Sequence, residues 1–201
     1  MTDTPNKDKN PLTDPWTVIG SREVYVNPWI RVREDQVVRP DSKPGIYGVV
    51  EFANYALGVV AITETLETYL VGQWRYTLGR YSWEIPEGGG SKLALPIDSA
   101  KRELLEETGI EARDWVDLGP FDLSNSVTDE IGYVYLARNL SYRESEPEGD
   151  EVLNVRKLPL ADVRQMCLDG QITDGVTIIA IFRAWEWLKT NGYLPIDTSL
   201  I

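Results

Sequence analysis

The stretch AKRELLEETGI, residues 100 to 110, sets the carboxylates Glu103 and Glu107 four positions apart with no cation between them along that face. At about 100° per residue, Glu103, Glu106 and Glu107 share one arc of a helix, with Ile97, Ala100, Leu104 and Leu105 opposite. The pattern predicts a helix over roughly Asp98 to Thr108, with Asp98 as N-cap and Gly109 as the left-handed stop. One reading is an amphipathic helix with a solvated acidic face. Against it, a like-charge i,i+4 pair costs about 0.2–0.5 kcal/mol, and Glu106 and Glu107 fall in the last turn, where the macrodipole disfavours anions. A hard divalent cation between the carboxylates would reverse both penalties. Arg102 is spaced to pair with Glu106 one turn on.

Directly upstream, EIPEGGG (84–90) carries three consecutive glycines. They read as a loop, either a flexible connector or a backbone that approaches a ligand closely. Further out, WTVIG, REVYV, WIRVRED and IYGVVEF are short β-rich runs punctuated by turn residues, including RPDSKPG. ALGVVAIT, TYLVGQWRY and YSWEIPEGGG form a second β block, and IGYVYLARNL and VLNVRKL are further strands. Helices are expected from Pro159 to about Asp169 and from Asp174 to Lys189. Strands and helices mix without regular alternation, so the class is α+β. The organisation expected is a flexible tail over 1–14, an N-terminal β extension over 15–52 and a main domain over 53–195.

Composition narrows the chemistry. A chain of 201 residues can bury roughly 70% of its unfolded surface. A net charge of −12, from 32 acids and 20 bases, disfavours a nucleic-acid partner. An anionic small substrate would then need local arginines or a bound metal. There is no histidine, so Ser-His-Asp chemistry is excluded and any general base is a carboxylate, Lys, Tyr or Cys. The single cysteine, Cys167, provides neither a disulfide framework nor a Cys-rich metal site. No apolar run approaches the length of a membrane span, and the opening residues lack the apolar core of a secretory signal. The expectation is a cytoplasmic protein without a membrane partner.

The loop and helix together resemble the Nudix hydrolase signature, G-x5-E-x7-R-E-U-x-E-E-x-G-U, with U a bulky aliphatic residue. Aligned on Gly109, the pattern meets Gly88, Arg102, Glu103, Leu104, Glu106, Glu107 and Ile110. Ala94 stands where the family has its first Glu. Over roughly residues 22 to 190, VGQWRY, WEIPEGG, GQITDGVTIIAI and VYVNPWIRVRED are similar to segments of ADP-ribose and nucleoside diphosphate sugar pyrophosphatases.

The resemblance implies a Nudix-type α/β/α sandwich with a small N-terminal antiparallel β extension that takes part in a homodimer. It also implies hydrolysis of the diphosphate bond of a nucleoside diphosphate sugar, dependent on Mg²⁺ or Mn²⁺. Glu103 and Glu107 would be metal ligands, with the carbonyl of Glu87 a further ligand, Glu106 nearby and Arg102 an orienting partner. Arg75 and Arg80 are candidates for phosphate contacts, or else ion-pair partners. Trp74, Tyr76 and Trp83 are candidates for stacking on a base, or else core residues. Trp29 shares that ambiguity, with dimer packing as a third role. In the acidic loop RESEPEGDE the resemblance favours Glu151 as general base, with Glu148 second, where composition alone would suggest only solvation. The departure at Ala94 raises an alternative, a non-catalytic Nudix-fold module that binds or senses nucleotide sugars.

Overall fold

The computed structural model describes residues 13–143 and 153–194, which fall into two compact units. One unit takes in the described residues up to Phe52 together with Ser124–Asp129. Its strands β1 (Thr17–Val26), β2 (Ile30–Val38) and β3 (Pro44–Phe52) form an antiparallel sheet in that order. The runs WTVIG and REVYV are a single strand, carried through by register shifts at Val18/Gly20 and Glu23/Tyr25. The Asn27 carboxamide oxygen accepts from the N–H groups of Trp29 and Ile30 at 2.9 and 2.8 Å, which closes the β1–β2 turn. Ser124–Asp129 is tied to β3 by Val50 N–H donating to Val127 O and Asp129 N–H donating to Val50 O.

The other unit contains β4 (Asn54–Ala61), β5 (Glu67–Arg75), β6 (Arg80–Glu84), β7 (Glu87–Ser91), α1 (Pro96–Thr108), β8 (Ile110–Asp122), β9 (Ile131–Tyr142), β10 (Asn154–Pro159), α2 (Leu160–Leu168) and α3 (Gly175–Thr190). A mixed sheet runs β7-β4-β9-β8, parallel only between β4 and β9, and a separate antiparallel sheet runs β10-β5-β6. Because β4 is apolar at nearly every position, both of its faces need cover. Val60 and Leu136 look towards Ile181, Ala184 and Leu188 of α3, while Val59 and Ala137 pack with Ala100 and Leu104 of α1. Helices on both faces of the sheet make the expected α/β/α sandwich of an α+β protein. No helix among the described residues is long and apolar enough to cross a membrane.

Two local expectations are corrected, and one segment gains an assignment. Helix α1 begins at Pro96 instead of Asp98, with Leu95 at the extended N-cap position and no side-chain cap. Proline suits the first turn because its missing N–H would have no helical acceptor there, and Asp98 sits inside that turn as a favourable charge. The glycine triplet is not a loop but most of strand β7, paired with β4 from Gly88↔Leu57 to Gly90↔Tyr55. Residues 110–122, without an assignment from pattern, form the 13-residue strand β8.

Candidate active site

Strand β7 meets helix α1 where only glycine fits. A Cβ on Gly88 would overlap the Glu103 carboxylate, and one on Gly90 would lie 2.6 Å from Leu57 Cδ1. The sequence thus lets a charged helix face lie directly against a strand backbone. Gly109 ends the helix in the left-handed region, at φ 69°, and donates to Leu105 O at 2.8 Å. Glu107 is buried at 4% exposure, and its Oε2 accepts the Glu87 N–H at 3.0 Å. Arg102 bonds Glu103 Oε1 at 2.5 Å, Glu106 Oε2 at 2.6 Å and the Gly89 carbonyl at 3.3 Å. This acidic face is clamped by a guanidinium and partly shut off from solvent, not simply solvated.

A second charged group lies around the Glu87 side chain. Arg75 Nε reaches both carboxylate oxygens of Glu84, at 3.1 and 2.9 Å. Its Nη2 bonds Glu84 Oε2 at 2.5 Å and Glu87 Oε1 at 3.1 Å. Glu84 is buried and Arg75 only partly exposed, so the ion-pair role of this arginine is observed, and with a buried partner. Burial pushes the Glu84 carboxyl upward, but the hydrogen bonds and charge of Arg75, together with contacts to Glu87 and Ser82, outweigh it and hold the group below the usual carboxylate range. Glu87 goes the other way: burial, then the charge of Asp174 and its contact with Glu84, raise it well above that range.

Asp174, read from sequence only as a helix start, completes this group. It caps α3, with Oδ2 accepting the Thr177 N–H at 2.6 Å, and one oxygen each from Glu84, Glu87 and Asp174 lie within 4.8 Å of one another. Thr177, fully buried, accepts the Ile85 N–H on Oγ1 at 3.0 Å and so pins α3 to the β6–β7 connection. Thr177→Val would leave that buried N–H without an acceptor. The expected loss is about 1–3 kcal/mol in urea unfolding, and an unchanged midpoint and slope would show that the bond contributes nothing.

Arg80 donates to Thr173 Oγ1 at 2.8 Å. Trp74 is 64% exposed and Tyr76 more so. Trp83 packs edge-on against Tyr81, with the Arg156 guanidinium 4.1 Å from its ring centre. Trp29 belongs to the other unit, in the exposed β1–β2 turn. Glu148 and Glu151 lie outside the described residues. Burial, followed by the charge of Asp174, pushes the Cys167 thiol up to about 11, which leaves it a poor base or nucleophile at neutral pH.

Chemically, Glu103, Glu106 and Glu107 offer only carboxylate oxygens, beside a strand whose glycines leave room. That donor set fits a hard divalent cation such as Mg²⁺ or Mn²⁺.

A family profile described as the NUDIX domain matches residues 54–177, and one described as the nucleoside diphosphate sugar hydrolase N-terminal domain matches residues 16–50. An ADP-ribose pyrophosphatase of Mycobacterium tuberculosis is 30% identical over 189 residues, 91% of this chain and 90% of that protein. A methanol dehydrogenase activator of Bacillus methanolicus is 30% identical over 165 residues, 81% and 89% of the respective chains. A solved structure of an ADP compounds hydrolase superposes with a TM-score of 0.80 at 20% identity, over 89% of this chain and 97% of that one, a likeness of fold.

Proposed function

The chain belongs to the Nudix family, and on that premise we infer that it hydrolyses the diphosphate bond of nucleoside diphosphate sugars, with ADP-ribose one candidate. The products are a nucleoside monophosphate and a sugar phosphate. The observation that carries this reading is the seating of two helix carboxylates against the glycine strand, Glu103 clamped by Arg102 and Glu107 held by the Glu87 N–H. The match of residues 16–50 to an N-terminal domain described for nucleoside diphosphate sugar hydrolases supports the substrate class.

Glu103 and Glu107 would hold a divalent cation, Mg²⁺ or Mn²⁺, with the Glu87 carbonyl as a further ligand. When bound, such an ion neutralises diphosphate charge and orients water for in-line attack. Arg102 keeps Glu103 and Glu106 in register, holding the carboxylates against their mutual repulsion. Arg75 is engaged by Glu84 and Glu87, which leaves Arg80 the better candidate for a phosphate contact. Trp74, Trp83 and Trp29 remain candidates for the base. Glu151, with Glu148 second, is assigned the general base on family resemblance, and Glu106 follows if neither serves.

Incubation with ADP-ribose, GDP-mannose, ADP-glucose and UDP-glucose in Mg²⁺ should release the monophosphate and sugar phosphate from at least one of them. No release above background from any of the four would favour the non-catalytic sensor, the reading suggested by Ala94. A homodimer is part of the proposal. Val18, Ile19, Val24, Val26 and Ile46 are all more than half exposed on the β1–β3 sheet, an apolar surface that calls for a partner. Sedimentation at low micromolar concentration should give about twice the 22.7 kDa chain mass, and a monomer alone would overturn this. A cytoplasmic location is part of the same proposal.

A further inference from the structure

We propose that Glu84, Glu87 and Asp174 form a second divalent-cation site, distinct from the one assigned to Glu103 and Glu107. Both sites meet at Glu87 but use different parts of it. The main-chain N–H faces Glu107, whereas the side chain joins Glu84 and Asp174. Glu84 and Glu87 share the Arg75 guanidinium and Asp174 lies beside them, so two negative charges are left over if all three carboxylates ionise. A divalent cation balances that charge.

One buried oxygen of the cluster is unmatched. Glu87 keeps only 10% of its side-chain exposure, and its buried Oε2 has no hydrogen-bond partner among the described residues. A buried carboxylate oxygen in that state loses its hydration without replacement, which is costly unless a proton or a cation meets it. The other two members are already oriented: Arg75 grips both oxygens of Glu84, and the Thr177 N–H fixes Asp174 Oδ2. One oxygen from each residue lies within 4.8 Å of the others. Opposite ligands of Mg²⁺ are about 4.2 Å apart and those of Ca²⁺ about 4.6–5.2 Å. The 4.8 Å limit falls inside the Ca²⁺ span, so one hard divalent ion can touch an oxygen from each residue.

The rival resolution is a proton on Glu87, and counting bound Mn²⁺ separates the two. Equilibrium dialysis read by electron paramagnetic resonance would compare wild type, Glu87→Gln, Asp174→Asn and the double variant Glu103→Gln/Glu107→Gln. Asn also caps helices, so Asp174→Asn preserves α3 should Glu87→Gln disturb the fold. Circular dichroism checks each variant. The expectation is one Mn²⁺ fewer per chain in Glu87→Gln and Asp174→Asn, and retention of that ion in the double variant. Equal Mn²⁺ counts in wild type, Glu87→Gln and Asp174→Asn would overturn the proposal and assign the proton to Glu87. A double variant that binds none while wild type binds one would also overturn it, and would leave the α1 site standing.

Discussion

Glu107→Gln should lower turnover at least about 100-fold while the protein stays folded. Loss of an outer-shell partner of a metal ligand already costs about 10–100-fold, and replacing a ligand removes more. Stability should not fall in parallel. The glutamine oxygen can still accept the Glu87 N–H, and the change removes one of the like charges sharing the helix face with Glu103. Melting in metal-free buffer should therefore match or exceed wild type, while the rise in melting temperature on adding Mg²⁺ should shrink. Near-normal turnover in Mg²⁺ together with a lower melting point would make Glu107 a structural residue and sink its assigned role.

Arg75→Met is expected to destabilise the fold by about 3 kcal/mol at pH 7, because it strands the buried Glu84 carboxylate without its guanidinium. That figure is the low end for a broken buried pair, since Arg75 itself keeps 37% side-chain exposure. The pH dependence has a definite sign. Glu84 titrates below its ordinary value in the fold, so its contribution is full above the unfolded pKa and is lost as pH falls through the folded one. The gap between Arg75→Met and wild type should thus close as pH drops from 7 towards 3. Glu87 acts oppositely: with its folded pKa raised, its stability penalty is absent below the unfolded pKa and complete above the folded one. Urea unfolding in chelator across that range reads both effects. If Arg75→Met unfolds like wild type at pH 7, the pair contributes no stability. A rise in KM alone would return Arg75 to phosphate contact.

The parts of this site that are legible in sequence are those written locally. The spacing of Arg102, Glu103, Glu106, Glu107 and Gly109 is a property of one helix, and composition supplies the absence of histidine. The glycine triplet misleads because glycine has two uses. It serves as a flexible hinge, and also as a strand residue where another backbone or a carboxylate must come close. Only the partner Glu103, 15 residues beyond Gly88, distinguishes them. Strand β8 is hidden by its charged residues and by Gly119-Pro120, where its register with β9 shifts. Arg75 looks available for substrate until the β5–β6 pairing brings Glu84 beside it. Asp174 is invisible as a site residue, since its local signal, that of a helix cap, is complete without the carboxylates it joins.

The bond from Ile85 to Thr177 spans 92 residues. At about 5–20 residues per second, a ribosome takes roughly 5 to 20 s to travel between them. Throughout that interval the nascent chain can form the β5–β6 hairpin with its Arg75–Glu84 pair, nine residues apart, but has no Asp174 and no latch on Ile85. The Glu87 side chain then has Glu84 and Arg75 beside it but not Asp174. Closure of the site becomes a late, long-loop event, slow by its contact order. A chain released before α3 is made would carry the whole Nudix helix and still lack the residue that closes the second cluster of carboxylates.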